Sequence, residues 1–410
     1  MQAPGQIRQE IITSPQGGPS ETRSASAIHV LFIIDQLCGL GGAEHVLLKA
    51  VRLLPEHGVR CTIVTFKIDQ TFVAMNSLPC PLHVFPLDRT YDWQAFKAAR
   101  KLRHLIRSEH VDIVHTFFET SDIWGGLIAK LSGAPVLISS RRDMGILRTT
   151  KHRIAYRLMG QLFDQVQAVS EEVRQFSIRQ GRLKPDQVVT LYNGTDLPPV
   201  DTGTEIENLR TSPGFEGASH LVVTVGNIRR VKGIDVLVRA AGIVCRQFPR
   251  AIFIVVGNVS EPQYHEEVQK LVCALNVADN MKFIGPRGNV VQILNQCDVF
   301  CLLSRSEGFS NALLEAMACG LPSVVTDVGG NREALSEGES GYLVPNEDAA
   351  AAAARITTLL ENPEGARKMG RAGYCTVEEK FTTEGMINGL VSRYNTLFNR
   401  RTRKRLTSQA

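Results

Sequence analysis

Glu307 and Glu315 stand eight positions apart in the stretch SEGFSNALLEAMACG, residues 306–320. Glu307 falls on a loop after the apolar run VFCLLS, and Glu315 falls one turn inside the helix-like NALLEAMACG, with Gly320 and then Pro322 at its end. Ser310 has the type and place of an N-cap, so the amides of Asn311, Ala312 and Leu313 are expected to be available to an anion or to hydroxyl oxygens. A carboxylate accepts two hydroxyls at once, so two carboxylates can grip polyols at both ends of one ligand. A nucleotide sugar has that form, with a hexose, a ribose and a diphosphate between them. The spacing predicts such a site around Glu307, Gly308, Phe309, Ser310, Asn311, Leu314 and Glu315.

Three other loops supply what a diphosphate needs. VGNIRRVKGID places Arg229, Arg230 and Lys232 between a strand and a helix. Cations at the carboxyl end of a strand face the ligand crevice of a doubly wound sheet, where Arg229 offers a planar fork and Lys232 a point charge. A merely solvated charge cluster is the plainer alternative. GLGGAE, with Gly39, Gly41 and Gly42, imitates a dinucleotide fingerprint, but Glu44 stands where the third glycine belongs. A tight structural turn explains it as well as a phosphate site does. Gly329 and Gly330 in TDVGGNREAL are expected to wall the Glu307 loop, and the loop GPRGN is expected to bear on the nucleobase, with its Arg287 a nucleotide-sugar-binding candidate of no assigned role. The sequence has no D-x-D pair, no G-x-S-x-G elbow and no P-loop, so no metal site is expected and no cofactor beyond the nucleotide-sugar substrate.

These loops need strands and helices to hold them. From Ile28 the chain alternates β-branched runs (IHVLFII, VRCTIVTF, PLHVFPL, VDIVHTF, APVLISS, DQVQAVS, QVVTLYNGTD) with amphipathic helices such as GAEHVLLKAVRLLPEHG, where Gly58 marks the stop. Ser170 caps one of them, with Glu171 and Glu172 against its positive end. A second series runs through HLVVTVGN, AIFIVVGN, MKFIG, VFCLLS and PSVVTDV. Strand and helix in strict alternation imply parallel strands with right-handed crossovers, hence an α/β fold of two doubly wound, Rossmann-like domains. The expected divisions are a disordered segment 1–26, a first domain 27–197, a linker 198–218, a second domain 219–382, a helix 383–399 and a basic tail 400–410.

Composition bounds the rest. The 410 residues carry a net charge of +5, too little to imply a nucleic-acid partner. The nine cysteines are odd in number and scattered without C-x-x-C spacing, so they read as small core residues in a reducing compartment. No run of 18 apolar residues exists, and the N-terminus lacks the apolar stretch of a signal peptide, so a cytoplasmic location is expected.

The blocks GGAEHVLLKAVRLLPEHG, VKGIDVLVRAA and EGFSNALLEAMACGLPSVVTDVGGNREAL…GYLVP together resemble the GT-B retaining glycosyltransferases of family 4, over roughly residues 28–399. The resemblance implies two domains facing a cleft, with the acceptor on the first, the nucleotide sugar on the second and the last helix crossing back. By position it puts Glu307 on the donor sugar, Glu315 on the ribose, Lys232 on the diphosphate and Gly42 near it from the other domain. Asn227 stands where the family usually has Arg, so the arginine role moves to Arg229. Many members carry His-x-His at the end of the fourth strand. Here it reads His115-Thr116-Phe117, which leaves His115 as a catalytic candidate with a buried structural histidine as its rival. The implied chemistry is metal-independent transfer of a hexose-type sugar from a UDP- or GDP-linked donor to a glycan or lipid-linked acceptor. A sugar-nucleotide epimerase of the same fold, or a weakly catalytic scaffold of a glycan assembly complex, are the alternatives.

Basic residues gather in the first domain, at Lys97, Arg100, Lys101, Arg103 and Arg107 on one helix and at Arg141, Arg142, Arg148, Lys151, Arg153 and Arg157. A solvated face is one reading. The other is peripheral attachment to an anionic membrane surface at the inner face, aided by the tail at Arg400–Arg405.

Overall fold

The computed structural model describes residues 27–39, 41–69, 78–145, 150–198 and 208–409; side chains are described except at 150–153 and 404–409. The expected disordered segment 1–26 and most of the expected linker, 199–207, lie outside these residues, as do the side chains of Arg148, Lys151, Arg153, Lys404 and Arg405.

The chain divides into two compact units. One takes in the chain up to Ala168, Arg174–Leu191 and Ile387 onward; the other takes in Val169–Val173 and Tyr192–Met386. The first is built on seven parallel strands: β1 (Ile28–Leu37), β2 (Val59–Ile68), β3 (Leu82–Val84), β4 (Ile113–Phe117), β5 (Val136–Arg141), β6 (Gln165–Ala168) and β7 (Val188–Thr190). Their order is β3-β2-β1-β4-β5-β6-β7. β1 and β4 are buried along almost their whole lengths, which is why they read as unbroken apolar runs rather than alternating ones.

The second unit repeats the arrangement with β8 (His220–Val225), β9 (Ala251–Val256), β10 (Met281–Gly285), β11 (Val299–Leu302), β12 (Ser323–Thr326) and β13 (Tyr342–Val344), ordered β10-β9-β8-β11-β12-β13 and all parallel. In both sheets strand order reverses once, between β1 and β4 and between β8 and β11. Ligands of such sheets bind beyond the carboxyl ends at that reversal.

Local departures from expectation have local causes. The first helix ends at Leu53 and continues as a tighter turn Leu54–His57, because Pro55 cannot donate to the ladder; Gly58 then closes it at φ 72°. The last helix runs Thr383–Gln409 and takes up the expected tail, since RRTRKRLTSQ contains neither Gly nor Pro. Cys61, Cys297 and Cys301 are buried as expected, whereas Cys273 and Cys375 are exposed on helix surfaces. No described helix is long and apolar enough to cross a membrane.

Candidate functional site

The strongest polar constellation of the second unit sits where β8 and β11 part. After β8 the chain makes a tight turn, Arg230–Lys232, and enters the helix Ile234–Gln247 through Gly233. Gly233 has φ 63°, and a Cβ there would lie 2.0 Å from the Leu303 carbonyl oxygen, so only glycine lets the turn sit against the end of β11. The result is contact between the two loops: Lys232 Nζ lies 2.6 Å from Glu307 Oε1. Ser304 Oγ donates to the same oxygen at 2.6 Å. The two charged side chains are only 16% and 11% exposed, so their attraction is screened less than that of a surface pair.

Arg305 fastens the loops from the other side. Its guanidinium makes two parallel bonds of 2.9 Å to the Asp235 carboxylate and one of 2.6 Å to the Arg230 carbonyl. Its backbone amide donates to the Val231 carbonyl at 2.7 Å. Burial pushes the Asp235 carboxyl up, but the hydrogen bonds from Arg305 and from the Tyr264 hydroxyl outweigh it and hold the group below its usual range. The two carbonyls that precede Lys232 are thus held by Arg305, one through a guanidinium that is itself paired with Asp235 and one through its backbone amide.

The Glu307 loop is braced by backbone packing. Gly329 has φ 53°, and a Cβ there would fall 1.8 Å from the Glu307 carbonyl oxygen. The Gly330 amide donates to the Gly308 carbonyl at 3.0 Å, and Ser170 Oγ donates to the same carbonyl at 2.8 Å. Asn193 Nδ2 reaches both the Phe309 carbonyl and Asn311 Oδ1. Glu333 accepts from the amides of Glu171 and Glu172 and from the Tyr192 hydroxyl.

The residues singled out from the sequence therefore separate into two groups. Glu307, Lys232, Asn311 and Glu315 are half-buried on the two loops and the helix Asn311–Ala318. Arg229 and Arg287 are exposed on their loops, and Asn227 accepts from the Asn258 amide at 3.3 Å. Four of the expected ligand contacts are also engaged within the protein. Leu314 is fully buried among core side chains. Phe309 is 6% exposed and packs its ring against Tyr192 and Phe381 at centroid distances of 5.0 and 5.2 Å. Gly308 presents its carbonyl to Ser170 and Gly330. Ser310 spends its hydroxyl on the Leu313 amide at 3.3 Å, which removes that amide from the three expected to be available. Ser304, Arg305, Asn193 and Glu333 were missed, and Ser170, read from the sequence as a helix cap, also bonds the Gly308 carbonyl. Only Ser304 and Arg305 had a signal, as polar residues directly between a buried strand and Glu307.

In the first unit, Gly41 is the N-cap of the helix Gly42–Leu53, with extended backbone. A Cβ on Gly41 would lie 2.6 Å from Glu44 Oε2, so the chain brings its own carboxylate to this helix start. That accounts for Glu44 in place of a third glycine, and the Arg142 charge lies close enough to Glu44 to interact with it. His115 is 1% exposed, shares a 2.7 Å hydrogen bond between Nδ1 and the Tyr394 hydroxyl, and packs against Phe117. Burial first, and the Arg142 charge second, pull it down to about 3. A neutral, enclosed ring with an aromatic partner fits the structural alternative for His115. Among the described residues no group of three or more His, Cys, Asp or Glu could hold a metal ion.

Two Rossmann-like units, one with a cation–carboxylate pair at its strand-order reversal, define a protein of the GT-B class. Residues 40–198 match the family model "Glycosyltransferase Family 4" and residues 205–375 match "Glycosyl transferases group 1". The chain belongs to the group 1 glycosyltransferases. It is 31% identical over 217 residues to N-acetyl-alpha-D-glucosaminyl L-malate synthase of Bacillus anthracis, a match spanning 53% of this chain and 55% of that protein. It is 24% identical over 325 residues to UDP-Gal:alpha-D-GlcNAc-diphosphoundecaprenol alpha-1,3-galactosyltransferase of Escherichia coli, spanning 75% of this chain and 82% of that one. The chain thus spans about half the length of the first relative and about four fifths of the second. The fold is shared with Anabaena HepE, solved in complex with UDP-glucose: TM-score 0.77 at 20% identity, covering 90% of this chain and 99% of that one.

Proposed function

We propose that the protein is a retaining hexosyltransferase that uses a UDP- or GDP-linked sugar and acts on a glycan or lipid-linked acceptor. The observation that carries this reading is the Lys232–Glu307 pair at the reversal between β8 and β11. A lysine there is placed for a diphosphate, and a carboxylate beside it is placed for sugar hydroxyls. In the reaction, the bond between the anomeric carbon and the phosphate oxygen breaks, and the electron pair leaves with the diphosphate. The acceptor hydroxyl bonds to the same face of the carbon, and its proton passes to the departing phosphate oxygen. The protein supplies no nucleophile. Lys232, Arg229 and the start of the helix Asn311–Ala318 stabilise the charge that develops on the diphosphate, a role that needs no metal.

HepE was solved with UDP-glucose and the Escherichia coli relative is named for UDP-Gal, so UDP-hexoses are the donors to test first. That relative is named for an alpha-D-GlcNAc-diphosphoundecaprenol acceptor, and the basic helix Trp93–Ser108 of the first unit suits an acceptor held at an anionic bilayer on the cytoplasmic side. A panel of UDP-, GDP- and ADP-sugars, scored by thermal shift and by donor hydrolysis, tests the reading. A UDP- or GDP-hexose should shift the melting temperature and turn over in EDTA. No response to any of them would refute it, and activity lost to chelation and restored by Mg²⁺ or Mn²⁺ would refute its metal-free form.

A further inference from the structure

The helix Trp93–Ser108 has two unlike faces. Ala95, Ala98, Leu102, Leu105 and Ile106 are buried. On the opposite stripe, at spacings of three and four, lie Trp93, Phe96, Lys97, Arg100, Arg103 and Arg107, all exposed. Two of these are large aromatic residues in water: Trp93 is 67% exposed and Phe96 52%, with Tyr91 at 83% just before the helix. Trp93 and Phe96 stack on each other at 5.3 Å, and the Lys97 ammonium stands 5.9 Å from the Trp93 ring. Asp92 spends its carboxylate capping the Ala95 amide, and residues 93–108 contain no acidic residue.

A stripe that is cationic along its length and aromatic at one end is matched by a surface that is uniformly negative and has an apolar layer within a few ångströms. Tryptophan and tyrosine favour that layer because their rings are apolar with a polar tip, and lysine and arginine stems extend over apolar surface while the charge stays wet. We propose that Tyr91, Trp93 and Phe96 form an interfacial anchor that enters the headgroup region of an anionic bilayer, with Lys97, Arg100 and Arg103 against lipid phosphates. The inference rests on the reading above that this unit works at a membrane, and it adds a defined insertion point. Charge alone would give attachment that salt abolishes; inserted rings leave a portion that salt does not remove.

The full chain has two tryptophans, Trp93 and the buried Trp124, so emission can report insertion. The wild type is mixed with vesicles of phosphatidylcholine containing phosphatidylglycerol, with brominated acyl chains as quencher. Emission should shift to the blue and be quenched, and vesicles of phosphatidylcholine alone should do neither. Trp93→Phe should still sediment with anionic vesicles but lose the quenching. Trp93→Ser with Phe96→Ser, both exposed positions, should partition at least about tenfold more weakly, with an unchanged melting temperature and unchanged donor hydrolysis in vesicle-free buffer. Equal quenching in wild type and Trp93→Phe, equal partitioning of the double variant, or no binding to anionic vesicles would overturn the anchor; the last outcome would point to a protein partner for this face. None of these depends on donor hydrolysis in buffer, by which the transferase reading is judged separately.

Discussion

Lys232 and Glu307, 75 positions apart in sequence, meet at 2.6 Å, with the lysine's charge balanced by the glutamate. A diphosphate must therefore compete with Glu307 for the ammonium. Glu307→Gln should lower turnover at least about tenfold while nucleoside diphosphate binds as well as before or more tightly, because the competing carboxylate is gone. Steady-state kinetics and calorimetry on the same variant check both halves; unchanged turnover would remove Glu307 from the reaction.

Lys232→Ala should weaken nucleoside diphosphate by about 1.5–3 kcal/mol, the worth of a lost ionic hydrogen bond, and weaken nucleoside monophosphate much less. Titration with both nucleotides decides it. Equal losses would place the lysine away from the terminal phosphate.

Gly233→Ala and Gly329→Ala should each disrupt the site without touching a ligand. Both positions have positive φ, and the added Cβ would stand 2.0 Å and 1.8 Å from a carbonyl oxygen. Each should cost at least about 1–3 kcal/mol of stability through strain and displacement of the Glu307 loop. Urea unfolding read by far-ultraviolet circular dichroism should show it, with turnover falling in step. Wild-type behaviour in both would mean that the loops tolerate a shift.

Which parts of this were readable in advance follows from what sequence patterns encode. Fully buried parallel strands appear as unbroken apolar runs, so both sheets were legible, and the loop positions of Lys232 and Glu307 followed from strand ends. That the two side chains pair was not legible, because it depends on strand order: β8 neighbours β11 across 73 intervening residues. That the side chains of Phe309 and Leu314 turn into the core was not legible, because a motif gives spacing and not the direction in which a side chain points. That Ser170 and Asn193 brace the Glu307 loop was not legible, because they come from distant segments and act by bonding carbonyl oxygens, which leaves no pattern in the chain.

His115 should govern acid stability rather than catalysis. Its folded value, near 3, lies below the ordinary 6.5, so the neutral ring stabilises the fold above pH 6.5, and that contribution is lost as pH falls toward 3. His29, lowered to about 4 by burial and then by Arg60, adds to the effect over the upper part of that window. By pH 4 the His115 contribution lost is about 3 kcal/mol. Both tryptophans, Trp93 and Trp124, belong to the first unit, so urea midpoints by tryptophan fluorescence report this unit. The midpoint should fall between pH 6.5 and pH 4, and fall less in His115→Asn. A flat profile would contradict the buried neutral ring.

The most direct test of the central claim is proton NMR of the first product formed from a UDP-α-hexose, with water or a simple hydroxyl acceptor. Retention at a site built on Lys232 and Glu307 predicts that the α-anomer appears first, that mutarotation follows later, and that Lys232→Ala slows its appearance. A β-anomer appearing first, or no product from any UDP- or GDP-hexose, would contradict the account.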